Sequence, residues 1–244
     1  MEKLKVTIKT DVGKLREINE DCYYVSRDEQ KYKLCILADG MGGYNGGEVA
    51  SNLAILTAKK YIEKKLLHPL EDENTIETLK DAVIEAHNEI ISKAQRIKDL
   101  DEMGTTLDIC LVSDTKLYIA HIGDSRVYMI RNGKIHQITK DHSFVENLLR
   151  EGTITREEAE NHPKKNMLMR ALGVDTDITP DIHIEKLKTQ DIILMCTDGL
   201  SNMLTDDEIV KIMQNNKETA HNELIDKANE KGGRDNITVI IIEV

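Results

Sequence analysis

Apolar positions along the chain change period several times, and each change marks an element. Leu4, Val6 and Ile8 alternate with polar residues as a half-buried strand does, and Tyr23 and Val25 begin a second strand. Residues 33–39 (KLCILAD) form a continuous apolar run that stops at an acid followed by glycine, which places Asp39 at a strand end. The period then lengthens. Leu53, Ala54, Ala58, Tyr61 and Ile62 make a helical stripe from Glu48 to about Leu67. Ile76, Leu79, Val83, Ala86, Ile90 and Ile97 make another from Thr75 to about Ile97, with Asn74 and Glu77 spaced as a capping box.

The middle of the chain is rich in strands: residues 106–113, 116–122, 127–131 and 134–139. The third and fourth are joined through Asn132-Gly133 as a two-residue hairpin. Connections this short force antiparallel pairing. From His142 to Leu172 the sequence turns polar, charged and helical, a surface excursion or flap. Residues 191–197 (DIILMCT) repeat the earlier design, an apolar strand running into Asp198-Gly199. Helices near residues 206–214 and 219–231 precede a last strand at 237–244. Such an order, with strands and helices in blocks and no βαβ alternation, reads as an α+β layered domain. Pro69, Pro163 and Pro180 lie far apart and there is no linker or repeat, so residues 1–244 read as one domain.

Composition narrows the function. The 244 residues carry 33 basic and 44 acidic side chains, a formal charge of −11. That balance counts against a protein that tracks nucleic-acid phosphates or lies on anionic lipid. With seven Tyr, one Phe and no Trp, the core must be aliphatic, and the scarcity of aromatics argues against a base-stacking platform or a sugar-binding cleft. Cys22, Cys35, Cys110 and Cys196 each fall in an apolar strand and none is in a C-x-x-C pair, so they read as reduced core residues. No apolar run approaches the roughly 18 residues of a membrane span, and the N-terminus lacks a signal-type apolar region. The expected compartment is the cytoplasm.

Candidate chemistry lies where strands end. Asp39-Gly40, Asp198-Gly199 and Asp235-Asn236 each put an acid beside glycine or asparagine, Gly123-Asp124-Ser125-Arg126 has the same character, and Glu20-Asp21 precedes the second strand. A single Asp-Gly is usually a turn. Several converging carboxylates repel one another unless a cation holds them, and hard divalent ions such as Mg²⁺ or Mn²⁺ prefer oxygen ligands. The loop after Asp39 has neither the P-loop nor the G-x-G-x-x-G pattern, so nucleotide binding is not expected. Arg16, three residues before Asn19-Glu20-Asp21, is either a solvated surface residue or a bidentate phosphate clamp.

In order, Arg16-x-x-Asn19-Glu20-Asp21, Ala38-Asp39-Gly40-Met41-Gly42-Gly43 with Gly47-Glu48-Val49-Ala50-Ser51, Met103-Gly104-Thr105-Thr106, Gly123-Asp124-Ser125-Arg126, Lys140-Asp141-His142-Ser143, Thr197-Asp198-Gly199-Leu200 and Gly232-Gly233-Arg234-Asp235-Asn236 resemble the metal-dependent protein phosphatases, the type-2C family in its compact bacterial form. The resemblance implies a four-layer αββα sandwich. Its two central, mainly antiparallel sheets would be flanked by helix pairs, with a flap beside the active site. It implies a protein serine/threonine phosphatase with two Mn²⁺ or Mg²⁺ ions, in which a metal-bridging hydroxide attacks phosphoserine or phosphothreonine.

By motif position, Asp39 would bridge the ions and Gly40 would offer its carbonyl to one of them. Asp198 and Asp235 would complete the other shell, while Glu20 and Asp21 would act mainly through water. Arg16 would hold the substrate phosphate, and Asp124 with Asp198 would take a weaker third ion. The catalytic set is then Arg16, Asp39, Asp198 and Asp235. Two departures matter. Met41 stands where many eukaryotic members have His, which leaves the general acid to water or, less well, to His142. Asn202 stands where many relatives have an acid, which should weaken the third ion.

Implied partners are phosphorylated proteins of a cognate serine/threonine kinase, selected in part by the flap, and nothing requires more than a monomer. The rival readings are a phosphatase dedicated to one regulatory phosphoprotein of the anti-sigma-factor-antagonist type, a non-catalytic phosphoprotein-binding module, and a metal hydrolase acting on other esters.

Overall fold

The computed structural model describes residues 4–27, 32–42, 46–66, 70–100, 102–113, 115–175, 178–215 and 217–244, with Lys98 and Glu160 described by backbone alone. Gly43 of the first glycine-rich motif, Leu67 at the expected end of the first helix, and Pro69 lie outside the described residues. The strands are β1 (Lys5–Asp11), β2 (Asp21–Val25), β3 (Lys33–Met41), β4 (Gly104–Thr105), β5 (Leu107–Ser113), β6 (Lys116–Ile122), β7 (Arg126–Arg131), β8 (Lys134–Gln137), β9 (Asp181–Lys186), β10 (Ile192–Cys196) and β11 (Ile237–Glu243). The helices are α1 (Gly46–Lys65), α2 (Asp72–Arg96), α3 (Phe144–Arg150), α4 (Arg156–Glu160), α5 (Asp198–Ser201), α6 (Asp206–Asn215) and α7 (Ala220–Glu230).

Two sheets form, ordered β1-β11-β10-β7-β8 and β2-β3-β5-β6-β9, with short β4 added to β3. Every one of these pairings is antiparallel. The continuous apolar runs seen in the sequence are strands buried on both faces. In β3, Leu34, Ile36 and Ala38 face α1 and α2, while Cys35 and Leu37 face the other sheet. In β10, Leu194 and Cys196 face α6 and α7, while Ile193 and Met195 point inward. Three apolar layers thus alternate with four layers of secondary structure, and the sandwich is αββα. Asn132 and Gly133 both take positive φ, 51° and 72°, as the primed hairpin turn requires.

Four expectations are corrected. The capping box at Asn74 and Glu77 does not form, because α2 starts earlier. Its N-cap is Glu71, with no side-chain cap bond. The start is fixed to β6 instead: Asp72 accepts from Lys116 Nζ at 2.6 and 2.7 Å and from Tyr118 Oη at 2.7 Å. Strand β9 was not expected. It is an edge strand whose residues are at most half-buried, so its apolar pattern is weak. Cys22 is only half-buried, with its thiol donating to Asn52, whereas Cys35, Cys110 and Cys196 are core residues. The flap is superficial in its middle, where α3 buries no residue, but its ends, His142, Ala171 and Leu172, are buried. Among the described residues no helix is long and apolar enough to cross a membrane.

Candidate active site

The strand ends converge on one edge of the sandwich. Asp21 and Asp39 are direct partners across β2 and β3. Thr197, which leads into Asp198, donates from Oγ1 to Asp21 Oδ2 at 2.9 Å, and Thr238 Oγ1 donates to the same oxygen at 2.6 Å. These two threonines therefore stitch the β10 and β11 ends, with Asp198 and Asp235, onto β2. The main chain of Asp39 is held at both ends. Its N–H bonds to Thr106 Oγ1 at 2.9 Å, and its carbonyl accepts from Thr105 Oγ1 at 2.8 Å and Thr106 N at 2.9 Å.

Glycine makes the close approach possible. A Cβ on Gly40 would lie 2.2 Å from the Gly47 carbonyl oxygen, and one on Gly199 would lie 1.9 Å from that of Asn236. The Glu20 carboxylate accepts backbone N–H bonds from Gly47 and Glu48, so it caps the start of α1, where the helix dipole favours negative charge. Its backbone carbonyl takes Ser51 Oγ at 2.6 Å.

Arg16 sits on the loop before β2. Its side chain is 49% exposed, and Nη2 donates to Asp235 Oδ2 at 2.9 Å. Asn236 holds that loop from beneath. Its Oδ1 accepts from Glu20 N at 2.8 Å, and Nδ2 donates to Val12 O at 3.0 Å and Ile18 O at 2.9 Å. Asn202 Nδ2 donates to Asp198 Oδ2 at 3.0 Å.

The electrostatics follow from this crowding. Asp21, Asp39, Asp124 and Asp198 lie deep among protein atoms, with only an edge open to the cleft. Burial raises each carboxyl, and like charge raises it further. Asp21 is pushed up to about 7 and Asp198 to about 6. Asp39 rises well above the usual range, through burial and then through Asp21, Asp198, Asp124 and Asp235. Asp124 rises through burial, Asp198 and Asp141. Arg16 and Arg126 partly offset this charge at Asp198. Asp21 Oδ1 is buried without a hydrogen-bond partner.

Carboxylates packed this way fit a divalent cation, whose bound water can reach the orphaned oxygen and whose charge cancels the repulsion. Among the described residues no three His, Cys, Asp or Glu side chains close into a metal cage by themselves. Mg²⁺ and Mn²⁺ suit such a site because water and carbonyl oxygen, here Gly40, make up the remaining ligands.

All the residues singled out in the sequence, Arg16, Glu20, Asp21, Asp39, Gly40, Asp124, Asp198 and Asp235, meet here. The Met41 side chain lies against Gly104, beside Val174. Sequence reasoning missed Asn236 as a structural hub and the pair Thr197–Thr238 on Asp21. Both stand beside or within the Asp-Asn and Thr-Asp-Gly motifs, but their partners are 41 to 224 residues away.

A family model described as protein phosphatase 2C matches residues 15–231. Serine/threonine phosphatase stp of Listeria innocua is 40% identical over 239 residues, which cover 96% of this chain and 94% of that one. The S. agalactiae serine/threonine phosphatase structure aligns with a TM-score of 0.92 at 30% identity, over 99% of both chains. A structure of the catalytic domain of the serine/threonine protein phosphatase PstP in complex with 2 manganese ions aligns with a TM-score of 0.85 at 35% identity, over 98% of this chain and 97% of that one.

Proposed function

Since the chain belongs to the protein phosphatase 2C family and is a protein serine/threonine phosphatase, we propose that its strand-end carboxylates hold two Mn²⁺ or Mg²⁺ ions for hydrolysis of phosphoserine and phosphothreonine. The observation that carries this is the buried, mutually repelling group Asp21, Asp39, Asp124 and Asp198, with Asp21 Oδ1 left unpartnered. Asp39 would be the ligand common to both ions, Gly40 would offer its carbonyl to one, Asp198 and Asp235 would complete the ligand set of the other, and Glu20 and Asp21 would act through water. Asp124 and Asp198 take a weaker third ion, weaker still because Asn202 offers Asp198 an amide N–H where an acid would offer a ligand. Bound at this centre, the ions supply Lewis acidity that lowers the pKa of water and neutralises charge on the phosphoryl oxygens.

The chain's own residues do the rest. Thr105 and Thr106 fix Asp39 through its main chain, and Thr197 and Thr238 fix Asp21, so the carboxylates need no reorganisation when substrate arrives. Arg16 is exposed at the cleft, and its guanidinium can turn from Asp235 to clamp the phosphate dianion. A water oxygen forms its bond to phosphorus as the bond to the serine or threonine oxygen breaks. Met41 has no proton to give, so the leaving alkoxide takes one from water in the cleft.

We extend the reading to one catalytic domain over residues 1–244. It acts as a monomer in the cytoplasm on proteins phosphorylated by a cognate serine/threonine kinase, and the charged flap contributes to the choice of substrate.

The test is hydrolysis of a phosphothreonine peptide. Activity is expected to vanish in chelator, to return with Mn²⁺, and to fall at least about 100-fold in Asp39→Asn and Asp198→Asn, the scale of a lost electrostatic group in an active site. Undiminished turnover in chelator, or in Asp39→Asn, overturns the assignment.

A further inference from the structure

The turn between β6 and β7 carries Asp124, and both backbone polar groups of the preceding Gly123 are taken by one residue. His142 N donates to Gly123 O at 2.7 Å, and Gly123 N donates to His142 Nδ1 at 3.1 Å. Gly123 itself has little room to move. Its φ is +121°, and a Cβ there would fall 2.4 Å from Thr106 Cγ2. The other side of the turn is gripped by the residue next to His142. Asp141 accepts from Arg126 Nε at 2.9 Å and from Arg126 Nη2 at 2.7 Å.

His142 is 5% exposed and reaches the opposite way as well. Its carbonyl accepts from Met169 N at 2.7 Å, on the segment that returns from the flap. With Nδ1 accepting, the ring proton sits on Nε2, which lies 3.2 Å from Asp181 Oδ2 of β9 but is not aligned for a hydrogen bond. Arg170 Nη2, also from the returning segment, donates to the other oxygen of that carboxylate at 3.1 Å.

The tautomer is kept by a neighbour. The His121 ring lies 4.6 Å away and is bonded at both nitrogens to acceptors, Asp108 Oδ1 at 2.6 Å and Lys140 O at 3.0 Å. Burial works against the charged ring, but Asp108 and the Lys140 carbonyl outweigh it and raise His121. Burial, the His121 ring and Arg170 push His142 down to about 4, which leaves its Nδ1 lone pair free for Gly123.

We propose that His142 is a positioning residue for the phosphatase reaction, fixing the turn that aims Asp124 and joining it to the returning segment of the flap. The inference rests on the reading of Asp124 as ligand to the weakest ion. A buried histidine that merely fills space would affect stability alone, so the deciding readout is metal affinity by class.

The experiment is a calorimetric titration of Mn²⁺ into the full chain for wild type, His142→Ala, His142→Asn and Asp124→Asn. In His142→Ala the weakest class is expected to lose at least tenfold in affinity while the tighter ions stay within twofold. His142→Asn is expected to restore most of the loss, because its Oδ1 accepts from Gly123 N where Nδ1 did. Unchanged weak binding in His142→Ala, equal loss in every class, or no rescue by Asn overturns the proposal. If Asp124→Asn leaves the weak class intact, the Asp124 assignment has failed and the proposal falls with it. Should His142→Ala not fold, His142→Gln takes its place: its longer amide overshoots Gly123 N, so weak binding is expected to drop in Gln and hold in Asn, and the reverse order overturns the proposal.

Discussion

At the scale of single residues, exposure decides what Arg16 is for. Its ion pair with Asp235 is half open to solvent, and pairs of that kind contribute about 0–1 kcal/mol to stability. A guanidinium closing on a phosphate dianion makes a charged hydrogen bond instead, worth about 1.5–3 kcal/mol. Arg16→Ala is therefore expected to lower kcat/KM for a phosphopeptide by roughly 10- to 150-fold, with a melting temperature close to that of wild type. Equal kcat/KM in the two proteins would return Arg16 to the solvated surface. Asp39, Asp198 and Asp235 were legible from sequence because each follows or adjoins an apolar strand and is followed by glycine or asparagine. The partners that hold them were not. Nothing local in Thr197 or Thr238 says that both hydroxyls end on Asp21, more than 170 residues back.

At the scale of elements, the sequence reported strands best where both faces are buried. β3 and β10 read as unbroken apolar runs because the inter-sheet core and a helix layer claim alternate side chains. β9 stayed hidden because an edge strand buries little, and the start of α2 was misread because a tertiary clip at Asp72 outweighed a local cap signal. The β1–β2 loop bearing Arg16 and Glu20 has no core of its own. Among the bonds that hold it are three made with the buried Asn236 side chain. Asn236→Ala leaves two backbone carbonyls and one N–H unpaired, so a loss of about 2–3 kcal/mol is expected in urea unfolding. A fall in kcat/KM should accompany it, since Arg16 and Glu20 lose their seat. A variant that keeps wild-type stability would show that the loop is held by other means.

At the scale of the whole molecule, the surplus of acid has an address. Part of the −11 formal charge is concentrated at one edge of the sandwich, where bound cations turn an acidic pocket into a receptor for phosphate dianion. The same concentration makes stability depend on pH. Burial and like charge raise Asp21 to about 7 and Asp198 to about 6, above the range near 4 of an unfolded carboxyl. The native state thus keeps protons that the unfolded chain releases. The stability these groups contribute is fully present below about pH 4 and is lost as pH rises through 6 and 7. In chelator the melting temperature is expected to fall between pH 5 and pH 8. Mn²⁺ favours the ionised carboxylates and should widen its stabilisation over the same interval. Parallel curves with and without Mn²⁺ would mean that these carboxyls do not meet the ion.

The central claim, that these strand ends form one centre for two divalent ions, is tested most directly by counting ions. Mn²⁺ titrated calorimetrically into chelator-stripped protein near neutral pH should show two tight ions per chain in the wild type. Asp39→Asn, which alters the shared ligand, should bind neither of them tightly. One tight ion or none in the wild type, or two retained in Asp39→Asn, would contradict the account.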